Sequence, residues 1–229
     1  MRNHVLATAI AALSLSGAAI AHEAGDVILR VGVVHASPDV SSSKIKVEGY
    51  GSTVKVPESS IDVKSGTAAG LTGTYMIMPH FGLEASITTP FSHKVKGKAM
   101  GESFTIGKVS RLSPTISAQF FFLNPKSAFQ PYVGLGVNYT MFYDEKLHRE
   151  MKEDGAKNFT MSNSVGVVAQ IGMDYKITKN LSMNAAVWRM GMSSTVKWRE
   201  SDPPGDDLKA KADVDINPWV YTLGVGFRF

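Results

Sequence analysis

Along most of this chain, apolar residues alternate one for one with small or polar ones. In YVGLGVNYTMFY, residues 132–143, the odd positions Val133, Leu135, Val137, Tyr139, Met141 and Tyr143 are apolar. Between them stand Gly134, Gly136, Asn138 and Thr140. The stretch 164–177 keeps the same phase, with Val165, Val167, Ile171, Met173 and Tyr175 set against Gly166, Gln170, Gly172, Asp174 and Lys176. So does the closing WVYTLGVGFRF, residues 219–229. A period of two predicts strands; a helix would bring apolar residues back at three and four. Eight such segments follow one another, at about 26–37, 66–78, 81–95, 108–123, 129–143, 163–177, 181–199 and 211–229.

Their connections alternate in length. Pro79-His80, 124–128 and 178–180 are tight turns, whereas 38–65, 96–107, 144–162 and 200–210 are long and polar. Short turns at one end and long loops at the other describe an eight-stranded antiparallel barrel that crosses an outer membrane, with short periplasmic turns and long extracellular loops. A strand of about eleven residues at ~3.3 Å each, tilted by roughly 45°, spans the ~25 Å apolar band of that membrane. Aromatics gather near strand ends (Tyr75, Phe81, Phe129, Tyr132, Tyr175, Trp219, Phe227), where girdles belong. A soluble barrel or sandwich also alternates, but it shows water long polar side chains, and glycine serves poorly on such a face. The run DEKLHREMKEDGAK, 144–157, suits either a short amphipathic helix carrying Leu147 and Met151 or a solvated loop.

Composition adds bounds. Mean hydropathy is −0.02, the neutral value that alternating strands average to. With no cysteine, disulfides and thiolate metal sites are excluded. A formal charge of +4 without a basic block gives no support to nucleic-acid binding. Arg2, the apolar stretch 5–15 and the Ala19-Ile20-Ala21 cleavage pattern predict a secretory signal peptide over 1–21, with the barrel occupying 22–229. His35, His80, His93 and His148 show no ligand spacing, so no metal or cofactor is expected. Ser92 and His93 have the residue types of a hydrolytic site but lack a third partner, so no enzyme activity is expected.

Several ordered stretches carry a family resemblance: His22-Glu23-Ala24-Gly25-Asp26, Gly73-Thr74-Tyr75-Met76, Gly82-Leu83-Glu84, Thr89-Pro90-Phe91-Ser92-His93, FQPYVGLGVNYT at 129–140, Ala186-Val187-Trp188, and Asp215-Ile216-Asn217-Pro218-Trp219-Val220. In their order and spacing the chain resembles the OmpW family of small outer-membrane proteins. The resemblance implies a Gram-negative outer membrane and a narrow, largely hydrophobic channel. Small hydrophobic solutes would enter from outside and leave sideways into the bilayer, because the periplasmic end is plugged. It also implies contact with membrane lipids and lipopolysaccharide. Phe229 would be the terminal aromatic presented to the outer-membrane assembly machinery. Two departures from the family pattern stand out: Ser113-Pro114 where many relatives have two prolines, and Ser86 where leucine is common.

Parity then assigns faces. Arg30, Glu84, Asp174, Lys176 and Arg228 point inward, mostly toward the short-turn end. Buried charges must be paired or wet. An eight-stranded barrel is barely wide enough for its own side chains, which favours a salt-bridged lumen plug over an ion-selective lining. Ser86, Thr88, Trp188 and Met190, with Pro90, point inward above these charges, and the first four are the expected channel lining. Pro90 and Pro114 lie on neighbouring strands, and proline cannot donate to a ladder, so they mark a candidate lateral opening or simply two strand ends. Two other functions fit the same pattern: a structural or receptor barrel whose loops bind phage, toxin or host, and a narrow pore for small polar solutes.

Overall fold

A computed structural model describes residues 22–202 and 206–229; the expected signal peptide, 1–21, lies outside these residues. The strands are β1 (Val27–Ser37), β2 (Ser41–Ser42), β3 (Lys46–Gly49), β4 (Ser52–Lys55), β5 (Ser60–Val63), β6 (Gly66–Met78), β7 (Phe81–Thr88), β8 (Phe91–Ala99) and β9 (Glu102–Leu112). There follow β10 (Thr115–Phe121), β11 (Phe129–Leu147), the helix α1 (Arg149–Glu153), β12 (Ala156–Met161), β13 (Ser164–Lys176), β14 (Leu181–Met190), β15 (Ser193–Asp202), β16 (Asp206–Asp215) and β17 (Trp219–Arg228). Eight of them, β1, β6, β7, β10, β11, β13, β14 and β17, pair antiparallel in sequence order. The β1–β17 pairing closes the ring, so the eight-stranded sheet has no terminal edge strand.

Alternation decides which face meets lipid. Val31, Val33, Leu135, Val165, Val167, Ile171 and Leu223 stand exposed on the outer wall. Tyr75, Phe81, Phe129, Tyr175, Trp219 and Phe227 are exposed there too, as girdle positions require. Tyr132 corrects that expectation: it shares the even, inward parity of Gly134 and Gly136 and is 1% exposed inside the barrel.

The inward glycines do more than save space. Gly32 of β1 faces Gly224 of β17. A Cβ on Gly32 would lie 2.2 Å from the Leu223 carbonyl oxygen, and one on Gly224 2.4 Å from that of Val31. The two backbones approach more closely than any side chain permits, which lets a small barrel turn its wall sharply.

Two expectations change. The segment expected at 81–95 is interrupted at Thr89 and Pro90. Ser86 pairs with Thr115 but Phe91 with Arg111, so five steps on one strand face four on the other. This one-residue slip flips parity. Even-numbered residues face inward up to Thr88, odd ones from Phe91 onward, and Pro90 is exposed rather than inward.

The long polar loops are also largely paired. β8 with β9 and β15 with β16 form hairpins above the membrane, and β2–β5 and β12 join them. The β8–β9 hairpin turns through Met100 and Gly101, both at positive φ. Outward polar residues such as Ser92 and Lys94 mark the level at which the wall has left lipid. Within this cap Ile61, Val95, Ile106, Phe159, Val196, Trp198 and Val214 pack into an apolar core of their own. In the stretch 144–157, Met151 is buried on the short helix α1, while Leu147 ends β11 instead.

Candidate functional site

The interior is layered. At the periplasmic mouth the segment 22–26 tucks under the barrel. His22 donates its backbone N–H to the Pro125 carbonyl at 3.2 Å, and its ring meets Phe121 edge-on at 4.8 Å. Arg228 reaches Asp26 at 3.2 Å, and Lys176 donates to the Pro125 carbonyl at 2.6 Å. These two cations therefore sit at the rim, apart from the other three inward charges.

Above the rim lies a buried polar network. Arg30 Nε donates to Asp174 Oδ1 at 2.9 Å and Nη2 to Oδ2 at 2.5 Å, a two-pronged pair across the lumen. Nη1 donates to Thr74 at 2.7 Å and approaches Glu84 at 3.4 Å. Glu84 accepts from Gln170 at 3.0 Å, and Asp174 from Asn184 at 2.9 Å. Asn184 also donates to the Tyr132 hydroxyl at 3.0 Å. Arg30, Glu84 and Asp174 are 4%, 1% and 1% exposed, so this lattice fills the cross-section at its height. Alternation in 164–177 puts Gln170 on the same face as Asp174; that Thr74, Asn184 and Tyr132 complete the lattice follows from contacts between distant strands.

Above this floor a cavity of about 60 Å³ opens. Ser86 and Thr88, both half-buried, and the buried Trp188 and Met190 line it, as do Phe91 and Arg111. Phe91 was not expected inside; only the slip at Thr89 and Pro90 brings it there. His93 follows it inward while Ser92 stays exposed, so the two do not share a face. The cap core meets the cavity lining where Met192 lies against Arg111.

The wall beside the cavity is discontinuous. Residues 87–90 have no ladder partners on the β9–β10 side, where Pro114 interrupts the facing chain. On the other side β6 pairs with β7 up to Gly70 and Thr88, with Thr89 N donating to the Ala69 carbonyl at 2.8 Å. Pairing resumes only between β5 and β8 at Val63 and Val95. Pro90 thus sits in a span unpaired toward both neighbours, at the upper edge of the lipid-facing band. The Pro114 carbonyl does accept from Tyr139 N at 3.0 Å, so its seam toward β11 is intact. Phe229 donates its N–H to the Val27 carbonyl at 2.9 Å at the barrel's closing seam.

A family model described as the OmpW family matches residues 23–229. The chain is 36% identical over 225 residues to outer membrane protein W of Escherichia coli strain K12, covering 98% of each. It is 34% identical over 231 residues to outer membrane protein W of Vibrio cholerae, covering 100% of each. The crystal structure of the outer membrane protein OprG from Pseudomonas aeruginosa is similar at a TM-score of 0.86 and 37% identity, over 93% of this chain and 99% of that one.

Proposed function

Because the chain belongs to the OmpW family of outer-membrane barrels, we propose that it is a passive channel for small apolar molecules, which enter from outside and leave sideways into the bilayer. The observation that carries this reading is the pairing of a sealed floor with a weakened wall. Straight passage to the periplasm would have to break the buried Arg30–Asp174–Glu84 lattice. Sideways passage at Thr89 and Pro90 breaks no ladder bond toward β9–β10, because that span has none. An apolar solute moving from the cavity into lipid exchanges one apolar surrounding for another, so no solvation barrier opposes the step. In this reading Arg30, Glu84 and Asp174 are the plug, with Lys176 and Arg228 bracing its rim. Ser86, Thr88, Trp188 and Met190 are the lining, and Pro90 and Pro114 hold the seam open.

Uptake of naphthalene and of a polar solute of similar size into lipopolysaccharide-bearing vesicles tests the proposal. We expect naphthalene to accumulate faster with the protein than without it. Replacing both Pro90 and Pro114 by Ala, which restores a backbone donor at each position and removes the ring constraint beside the seam, is expected to lower that rate while the heat-modifiable gel shift of a folded barrel persists. Accumulation of the polar solute alone would mark a polar pore instead, and accumulation of neither a structural or receptor barrel. Unchanged naphthalene uptake in the double variant would refute the lateral route.

A further inference from the structure

One buried charge is left over by the plug. Arg111 of β9 is 3% exposed and lines the cavity directly above the network. Its guanidinium lies over the Phe91 ring, 5.0 Å from Cζ to the centroid, and Nη1 approaches Met192 Sδ at 3.6 Å. Nε has no hydrogen-bond partner, and no carboxylate pairs with the group among the described residues. The contrast with Arg30 is sharp: the same residue type at the same burial there has two carboxylates. A guanidinium removed from water with only a ring and a thioether beside it carries an uncompensated desolvation cost.

Its surroundings in the cavity are half prepared for a ligand. Trp188 Nε1 and the hydroxyls of Thr72 and Thr88 are also buried without partners. Ser86, Ser113 and Thr222 add polar groups to the wall, and Phe91, Met190, Val34 and Val220 pack together as its apolar part. The cavity's own carboxylate, Glu84, is already engaged by Gln170 and Arg30. Of the two guanidinium groups lining the cavity, Arg30 is paired with carboxylates and Arg111 is not; such a cation beside an apolar cluster matches a molecule with a single carboxylate on an apolar body.

We propose that Arg111 binds the carboxylate of a small amphipathic acid whose apolar body rests against Phe91, Trp188 and Met190. The proposal deepens the channel reading, and rests on it only for the ligand's access to the cavity. The anion would take the open Nε edge of the fork. The solute class would then include monocarboxylic acids rather than neutral apolar molecules alone.

The probe is phenylacetate, compared with the isosteric phenylacetamide, each titrated calorimetrically into the full barrel in detergent micelles with a micelle blank. The acid is expected to bind about tenfold more tightly than the amide, as a charge-assisted hydrogen-bonded pair gives, and Arg111→Gln to bring the two within about twofold of each other. Arg111→Lys is expected to retain part of the preference, since it keeps the charge without the fork. Equal binding of acid and amide by the wild-type barrel would overturn the proposal and leave Arg111 hydrated. That comparison needs no variant and stands even if a substituted barrel fails to fold. Absence of naphthalene uptake by the wild type would refute the channel reading and leave this binding result in place.

Discussion

Asp174→Asn isolates what the lumenal floor contributes. The side chain keeps its shape, but an amide NH2 replaces one of the two oxygens that Arg30 grips at 2.9 and 2.5 Å. Arg30 then keeps one neutral amide oxygen, Thr74 at 2.7 Å and, as its one remaining carboxylate, the more distant Glu84 at 3.4 Å, in a place where its side chain is 4% exposed. Removing one partner of a buried pair strands the other, at about 3–5 kcal/mol. The control is Asp39→Asn, which breaks the 2.8 Å contact with Arg189 where the side chains are 65% and 35% exposed. Such a pair contributes no more than ~1 kcal/mol. Urea unfolding in lipid vesicles, followed by gel mobility, should therefore separate the two variants clearly. Neutralising Arg30, Glu84 and Asp174 together (Met, Gln, Asn) should recover much of the loss, because no charge remains stranded. If Asp174→Asn unfolded at the same urea concentration as Asp39→Asn, the lattice would be too wet to act as a plug.

Three further outcomes are expected. His93 is 2% exposed in the cap, where burial, reinforced by the Arg111 charge, lowers its pKa to about 4 despite the hydrogen bond of Nδ1 to the Lys64 carbonyl. A depressed histidine pKa favours the neutral form in the fold, so its stabilisation is complete above about pH 6.5 and falls by up to about 3 kcal/mol as the pH drops to about 4. Hydrogen exchange in β8 and β9 should follow that slope, His93→Asn should flatten it, and a flat wild-type profile would contradict the assignment. Gly32→Ala should destabilise the barrel by ~1–3 kcal/mol, because its Cβ meets a backbone oxygen that cannot swing aside; a wild-type urea midpoint would show that β1 and β17 separate easily. Phe229→Ser, which keeps the seam's backbone bond, should reduce the amount of barrel assembled in cells but not refolding in micelles; equal amounts in both would remove its role as an assembly signal.

What the sequence determined by itself was local and periodic. A lipid-facing wall must be apolar at every second residue, so the parity of segments such as 129–143 and 163–177 assigned faces without knowledge of neighbours. Turn length set the order of strands, and together these placed Arg30, Glu84 and Asp174 inside. The partners could not be read in the same way. Arg30 and Asp174 are 144 residues apart, and their contact depends on strand register around a closed ring. The slip at Thr89 and Pro90 also escaped, because a single extra residue leaves alternation intact on either side of it. Yet that slip turns Phe91 and His93 inward and Pro90 outward. The cap escaped for a similar reason: Ile61, Phe159 and Trp198 lie among polar and charged residues, and only their meeting in space makes a core. Arg111 shares the odd, inward parity of Thr115 and Ser117, so its facing is legible in the sequence. Its lack of a carboxylate is a property of everything packed around it, and only the tertiary structure could decide that.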